Sequence, residues 1–361
     1  MAGKRDKGVG RQRVIATLPA TDEVAGRQIF QVLKDKHGEG FEDFIEAKLC
    51  PLAGDVMYEN FGLDKTKLEE LYKNIDIIVN TAATTNFYER YDVAFDTNVL
   101  GAKHIAEFAN KCTGLKMLLH VSTAFLAGEQ EGLILEKAFL KGETLREGTH
   151  LYIESELNII KDTRTELRAN YSSEKAERKT MKELGLERAR QFGWPNTYTF
   201  TKAMGEMMLG HLRGDLPVVI IRPSIITSLL KEPLPGWIEG IKTIDSVILG
   251  YAKQALKFFL VDPDTIMDVI LHMVNIALCG AFSPYYNELN GKYRLAMSLI
   301  ELYAPYTLFK GRFDNMNLER LRMAMEQTNN TEYYFDFDPM TIDWDDYFYR
   351  VHIPGVLKYL A

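Results

Sequence analysis

Short apolar runs alternate with longer amphipathic stretches along this chain. Ile75 to Val79, Leu115 to Val121 and Pro217 to Ile221 are brief and rich in β-branched or aliphatic residues. Each gives way at once to polar or turn-forming residues: Asn80-Thr81, Ser122-Thr123 and Arg222-Pro223-Ser224. Runs of this length and punctuation predict buried parallel strands. Ala47 to Asp55 predicts a further short strand that turns at Leu52-Ala53-Gly54-Asp55.

The stretches between them carry apolar residues three or four apart, which predicts helices. Asp22 to His37 offers Val24, Ile29, Phe30, Val32 and Leu33 on one stripe, stopped by Gly38-Glu39-Gly40. Asp64 is placed to cap a helix bearing Leu68 and Leu71. Tyr91 to Asn110 predicts another helix, and Gln130 to Arg190 a long, charged, helix-rich insertion. A further helix follows Asn196 and ends near Leu212. Strand, helix, strand, helix, strand predicts an α/β fold built on a doubly wound parallel sheet. Ligands in such folds bind at the C-terminal ends of the strands. Asp55, Asn80 to Ala83, Ser122-Thr123 and Pro223-Ser224 all fall there. Beyond the sheet, Leu295 to Ala304 and Asn317 to Gln327 predict helices. Two aromatic and acidic clusters close the chain, Phe335 to Pro339 and Ile342 to Phe348.

Composition narrows the function classes. The 361 residues carry a net charge of −7, which argues against a general nucleic-acid binder. Cys50, Cys112 and Cys279 are far apart, so they predict a reducing, intracellular setting and neither a disulfide framework nor a cysteine-held zinc. The final aspartates are read as helix caps and turn residues beside buried aromatics, since they match no calcium-loop spacing. Val247 to Leu260, interrupted by Lys253 and Lys257, is too short to span a bilayer. It suits an amphipathic helix facing a membrane, a lipid substrate or simply the core. The basic head, with Lys4, Arg5, Lys7, Arg11 and Arg13, lacks the apolar centre of a secretory signal and is expected to stay solvated.

One stretch carries chemistry. In Asn196-Thr197-Tyr198-Thr199-Phe200-Thr201-Lys202, the tyrosine and lysine stand four apart and share a helix face. An ammonium beside a phenol stabilises the phenolate and fits it for proton transfer near neutral pH. The spacing alone also fits an interfacial tyrosine and a solvated lysine.

Taken in order, Asn80-Thr81-Ala82-Ala83, Asn98, Ser122-Thr123-Ala124-Phe125, Tyr198-x-x-x-Lys202 and Arg222-Pro223 resemble an extended short-chain dehydrogenase/reductase. Phe87 to Ala94, His120 to Phe125, Gly193-Trp194-Pro195-Asn196-Thr197-Tyr198, Trp344-Asp345-Asp346-Tyr347 and His352-Ile353-Pro354-Gly355 are similar to the plant-type, alcohol-forming fatty acyl-CoA reductases. The resemblance runs from about residue 24 to the end. It implies a basic head over 1–21, a Rossmann-like domain over 22–285 and a helical C-terminal domain over 286–361. Two departures stand out. The only Gly-x-Gly near the start, Gly8-Val9-Gly10, follows no apolar strand and opens no helix, so the sheet is expected to be N-terminally incomplete. A second gap is expected near Phe282-Ser283-Pro284.

The resemblance implies NADPH-dependent reduction of a long-chain acyl-CoA to a primary alcohol through an aldehyde. Tyr198 would donate the proton, Lys202 would lower the phenol pKa and bond the nicotinamide ribose, and Thr123 would hold the carbonyl oxygen. Gly54 and Asp55 would meet the adenine, with a turn as the alternative role for Asp55. Ala82 and Ala83 would flank the dinucleotide, and Pro223 and Ser224 the nicotinamide. Asn98 would bind cofactor or tie strand to helix. Two other readings stand beside this one: an impaired paralogue or fragment that binds a complete reductase, and another extended reductase or epimerase. The expected location is cytoplasmic or peripheral on the endoplasmic reticulum. Acyl chain length and oligomeric state are not encoded in any motif.

Overall fold

The structure is a computed structural model that describes residues 26–170, 173–241, 243–253, 304–306, 309–327 and 338–360. The head, Gly8-Val9-Gly10, most of Leu295 to Ala304 and the gap near Phe282 lie outside the described residues. Two compact units emerge. The first holds the chain up to Gly128 and Leu135–Ser224; the second holds Glu129–Ile134 and Ile225–Ala361.

The first unit is built on three parallel strands: β1 (Ile77–Asn80), β2 (Met117–Val121) and β4 (Val218–Ile221), with β2 in the centre. Asn80 pairs with His120 and Val121 with Ile221, so all three polar strand ends reach one edge. Side chains alternate as a strand demands. Ile78 and Leu118 are buried against Ala102, Ile105, Ala106 and Leu209. On the other face, Val219 and Ile221 remain 43% and 44% exposed among the described residues.

The helices follow the predicted stripes. The expected Asp22 to His37 helix is seen from its 3₁₀ turn, Gln28–Phe30, through α1 (Gln31–His37), and ends at Gly38 with φ +53°. Helix α3 (Lys65–Asn74) is capped by Asp64, whose carboxylate accepts from the Lys67 N–H at 2.9 Å. Helix α4 (Tyr91–Phe95) passes through a π-helical turn (Asp96–Leu100) into α5 (Gly101–Ala109). The charged insertion yields α6 (Ile153–Ala169) and α7 (Glu174–Gln191). These two are braced by the buried Glu156, which accepts from the Tyr91 hydroxyl at 2.8 Å and from Arg188 Nε at 2.9 Å. Helix α8 (Thr197–Leu212) is buried along nearly its whole length. Phe200, Met204 and Met207 join the Tyr91–Trp194 cluster, and Leu209 joins the sheet-side cluster.

One expected strand is not formed. Ala47 to Asp55 begins in helix α2 (Phe41–Lys48) and continues as irregular chain. Pro51 has no N–H to give a ladder. Leu49 packs instead with Phe41 and Ile45, and Leu52 with the Phe61–Leu71 cluster, so burial is satisfied and pairing shrinks to an isolated bridge at Leu52.

In the second unit, β3 (Gly132–Ile134) pairs in parallel with β5 (Gly311–Phe313). The sequence pattern did not predict this ladder. Helices α9 (Thr243–Ala252), α10 (Met316–Gln327) and α11 (Ile353–Tyr359) accompany it. The aromatic-acidic close of the chain is structural: Asp338 and Asp343 cap short helical turns through the N–H groups of Met340 and Asp346. The Tyr347 hydroxyl lies 2.7 Å from the Ser228 carbonyl. His352 accepts from or donates to Ser228 Oγ at 3.0 Å and pairs with Asp245 at 3.3 Å.

Candidate active site

The strand-end edge of the first unit carries two neighbouring features. The first is a cavity of about 430 Å³. Gly54, Asp55, Asn80, Thr81, Ala82 and Ala83 line it, with apolar walls from Leu52, Val56 and Ile105. The second is a polar cluster at the end of β2, where α8 passes beneath Thr123.

Local sequence sets α8 in place. The Asn196 side chain accepts from the Thr199 N–H at 3.0 Å and fixes the first turn. Just before it, the Trp194 indole donates to the Leu126 carbonyl at 3.0 Å, which ties α8 to the loop that follows Thr123. Gly193 has φ +95°, a backbone shape open to glycine. The motif Gly193-Trp194-Pro195-Asn196 is therefore a clamp that fixes the spacing between Thr123 and Tyr198.

Tyr198 and Thr123 are brought together as expected: their hydroxyls are hydrogen-bonded. The Tyr198 ring stacks on Phe87 at 5.6 Å. Burial raises the phenol pKa and the Thr123 hydrogen bond lowers it, and burial wins. This differs from the lowered phenol expected beside Lys202. The reason lies in the lysine, whose Nζ donates to the Val121 carbonyl at 2.8 Å and stands 3.5 Å from His120 Nε2. Lys202 is 2% exposed, and burial lowers its pKa to about 8 against an upward pull from Glu206. Glu206, one turn on, is itself held by a two-pronged pair with Arg222 at 2.9 and 2.5 Å.

Several assigned residues have other work. Asn98 is fully committed: Oδ1 accepts from the Thr84 N–H at 3.0 Å, and Nδ2 donates to the Thr84 carbonyl and to Thr201 Oγ1. It ties the loop after β1 to α8 and is not in the cavity wall. Gly54 lines the cavity, but a methyl there would meet the Phe61 carbonyl at 3.0 Å, so the close approach it permits is to backbone. Asp55 keeps both roles, since one carboxylate oxygen accepts from the Met57 N–H at 2.9 Å while the residue lines the cavity. Pro223 accepts from the Ala124 N–H at 2.9 Å, which locks the ends of β2 and β4 together; Ser224 follows, exposed. Ser122 Oγ is buried with no hydrogen-bond partner.

The motif that holds Ser122 and Thr123 begins at His120, a residue to which the sequence assigns no role. It is 1% exposed, on the buried face of β2 beside Leu118. The signal was present in the period of two along Met117–Val121.

The cavity combines small Ala82 and Ala83 at the strand end, aliphatic walls and the Asp55 carboxylate, a lining chemically suited to a nucleoside. Among the described residues that line the cavity there is no lysine or arginine, so these offer no positive side chain to a pyrophosphate.

Comparison with known proteins agrees with this geometry. Two family models, both described as male sterility protein, match the chain: a NAD-binding model over residues 8–276 and a second over 264–361. A probable fatty acyl-CoA reductase 4 of Arabidopsis thaliana is 38% identical over 431 aligned positions, spanning 94% of this chain and 87% of that protein. The alcohol-forming fatty acyl-CoA reductase of Simmondsia chinensis is 36% identical, over 96% and 89%. An alignment of 431 positions on a chain of 361 residues means that the Arabidopsis relative carries internal residues this chain lacks. Among solved structures, the terminal R domain from a myxalamid PKS-NRPS pathway is 17% identical, with a TM-score of 0.42 over 70% of this chain and 57% of that one. On these matches, the chain belongs to the fatty acyl-CoA reductase family described by the male sterility models.

Proposed function

We propose that this chain reduces a long-chain fatty acyl-CoA to a primary alcohol with NADPH, in two steps through an aldehyde. The observation that carries the reading is the hydrogen-bonded Tyr198–Thr123 pair at the end of β2, with buried Lys202 one helical turn from the tyrosine. The bound dinucleotide supplies hydride to the carbonyl carbon. Thr123 and Tyr198 donate hydrogen bonds to the carbonyl oxygen and stabilise the charge that builds there. Tyr198 gives up its proton when the alkoxide forms from the aldehyde, and in the first step loss of the thiolate restores the carbonyl. Lys202, held by the Val121 carbonyl, restores charge balance beside the phenol and reaches the ribose side of the site. Asp55, Ala82 and Ala83 would hold the adenosine end.

The test is incubation of the purified chain with NADPH and a long-chain acyl-CoA. Alcohol formed with two NADPH consumed per molecule supports the reading. Folded protein that yields no alcohol or aldehyde overturns it for this chain. A second reading, a paralogue that binds a complete reductase, is favoured by the lack of basic side chains among the described residues that line the cavity. Stable association with such a reductase, measured beside the assay, separates the two. We carry the division near residue 285 and peripheral membrane contact through Val247 to Leu260 as parts of the same proposal; flotation with vesicles tests the second.

A further inference from the structure

Three buried polar side chains follow one another from the cavity wall to Lys202. Asn80 Nδ2 lies 3.0 Å from His120 Nδ1, and His120 Nε2 lies 3.5 Å from Lys202 Nζ. All three are at most 5% exposed. Asn80 also lines the cavity.

The amide of Asn80 is oriented by the backbone, because its Oδ1 accepts from the Ala82 N–H at 3.2 Å. That leaves Nδ2, a donor, facing His120. A neutral imidazole has one N–H and one acceptor. His120 is held neutral by burial and by Lys202, its pKa pushed down to about 3. With Nδ1 accepting from Asn80, the single proton must sit on Nε2, where it points at Lys202. An Nε2–H meets a neutral amine favourably, through the lone pair, and meets an ammonium as donor against donor.

We propose that Asn80 and His120 form a tautomeric switch that sets the charge of Lys202. In the orientation seen, the pair favours the neutral amine. For His120 to accept from the ammonium, its proton must move to Nδ1 and Asn80 must turn its amide over. That turn replaces the Ala82 hydrogen bond with an opposed pair of donors. Protonation of Lys202 and the orientation of Asn80 in the cavity wall are therefore linked, and His120 acts as a positioning residue for the lysine. The other ionisable groups facing Lys202 are Tyr198 and Glu206 on its own helix. Arg222 on the β4 side is neutralised by Glu206. The lowered Lys202 pKa, near 8, agrees in direction.

The inference rests on the reductase reading only in giving Lys202 a part in proton transfer, and its test needs neither substrate nor cofactor. The full chain is labelled with ¹⁵N-histidine, and two-bond ¹H–¹⁵N spectra are followed from pH 6 to 9.5, with His120→Gln identifying the signal. The expected result is a neutral His120 throughout, Nε2–H on the alkaline side and shifting toward Nδ1–H as pH falls through the lysine titration. In Asn80→Asp, a carboxylate faces Nδ1 and imposes Nδ1–H. The tautomer change should then move up by at least about one pH unit or vanish into the Nδ1–H form. A His120 that keeps one tautomer in the native chain, or an Asn80→Asp chain that titrates as the native one does, overturns the proposal. If Asn80→Asp does not fold, the native titration decides alone.

Discussion

A methyl group on Gly205 would overlap the backbone carbonyl of Asn98. Helix α8 crosses the π-helical turn at this point, with no side chain between the two backbones. The closeness lets the Asn98 amide reach Thr201 Oγ1 at 2.9 Å and lets Lys202, three residues before the glycine, reach the end of β2. Gly205→Ala sets two effects against each other. Alanine gains about 0.8–1 kcal/mol of helix propensity. Forcing it against a carbonyl that cannot rotate away costs about 1–3 kcal/mol, and shifts the backbone besides. We expect net destabilisation, read as a lower Tm, with turnover falling further than stability because Lys202 moves with the helix. An unchanged Tm would show that the crossing relaxes freely.

The proton donor gives the plainest kinetic test. Tyr198→Phe keeps the stacking on Phe87 and removes the hydroxyl shared with Thr123. Turnover should fall by roughly 10²–10⁴-fold, the usual contribution of a general acid. The circular dichroism spectrum and Tm should hold. Normal turnover by the folded variant would remove Tyr198 from the mechanism.

How much of this was legible in the chain depends on distance along it. The strands β1, β2 and β4 were, because each is a compact apolar run ending in polar residues that the parallel register then gathers at one edge. The Asp64 cap was, because a cap acts within one turn. Tyr198, Lys202 and Thr123 came from ordered motifs. For Asn98 the tie between strand and helix was one of the two roles the sequence offered, but its particular partners, 14 and 103 residues away, were not legible. For Gly54 the sequence offered room beside the cavity, but not the second demand on it, the Phe61 carbonyl brought back by a turn. The β3–β5 ladder joins three-residue segments that no local pattern marks.

Glu206 raises the Lys202 pKa against burial. Glu206→Gln keeps the shape and one of the two hydrogen bonds from Arg222 while removing the charge; the amide nitrogen meets the other Arg222 N–H donor to donor. The Lys202 pKa should fall further below 8, so any step that needs the ammonium fails at lower pH. The measurement is kcat/KM against pH, with the alkaline limb moving to the acid side. A limb that stays in place would show that Lys202 charge does not limit the reaction.

Stability should depend on pH through the buried histidines. His120 has a folded pKa near 3 against an ordinary value of 6.5, and burial lowers His352 as well. The unfolded chain then binds more protons than the folded one between these values. Stability is therefore full above about pH 6.5 and is lost as pH falls toward 3. One such group costs about 2 kcal/mol between pH 6.5 and 5. Urea denaturation at pH 7 and pH 5 should show the loss, and His120→Gln should shrink it. An equal slope in both proteins would assign the acid sensitivity elsewhere.

The last prediction concerns cofactor affinity. A dinucleotide is usually gripped in the middle, where a Gly-rich turn and a helix N-terminus give backbone N–H groups to the pyrophosphate. In this chain the described cavity offers Asp55 and the Ala82-Ala83 edge to one end, and Lys202 stands at the strand end on the other side of Asn80. Among the described residues, the cavity wall between them carries no lysine or arginine. Hydrogen bonds to charged oxygens contribute about 1.5–3 kcal/mol each, so losing two or three lowers affinity by orders of magnitude. NADPH titrated calorimetrically into the purified chain should bind far more weakly than to a relative with that turn. Asp55→Ala should weaken adenosine binding by a similar factor in both proteins. Grafting the relative's first strand and Gly-rich turn onto this chain should restore tight binding without any change at Tyr198 or Lys202. Micromolar binding by the unmodified chain would mean that its first 25 residues build a phosphate cradle of their own.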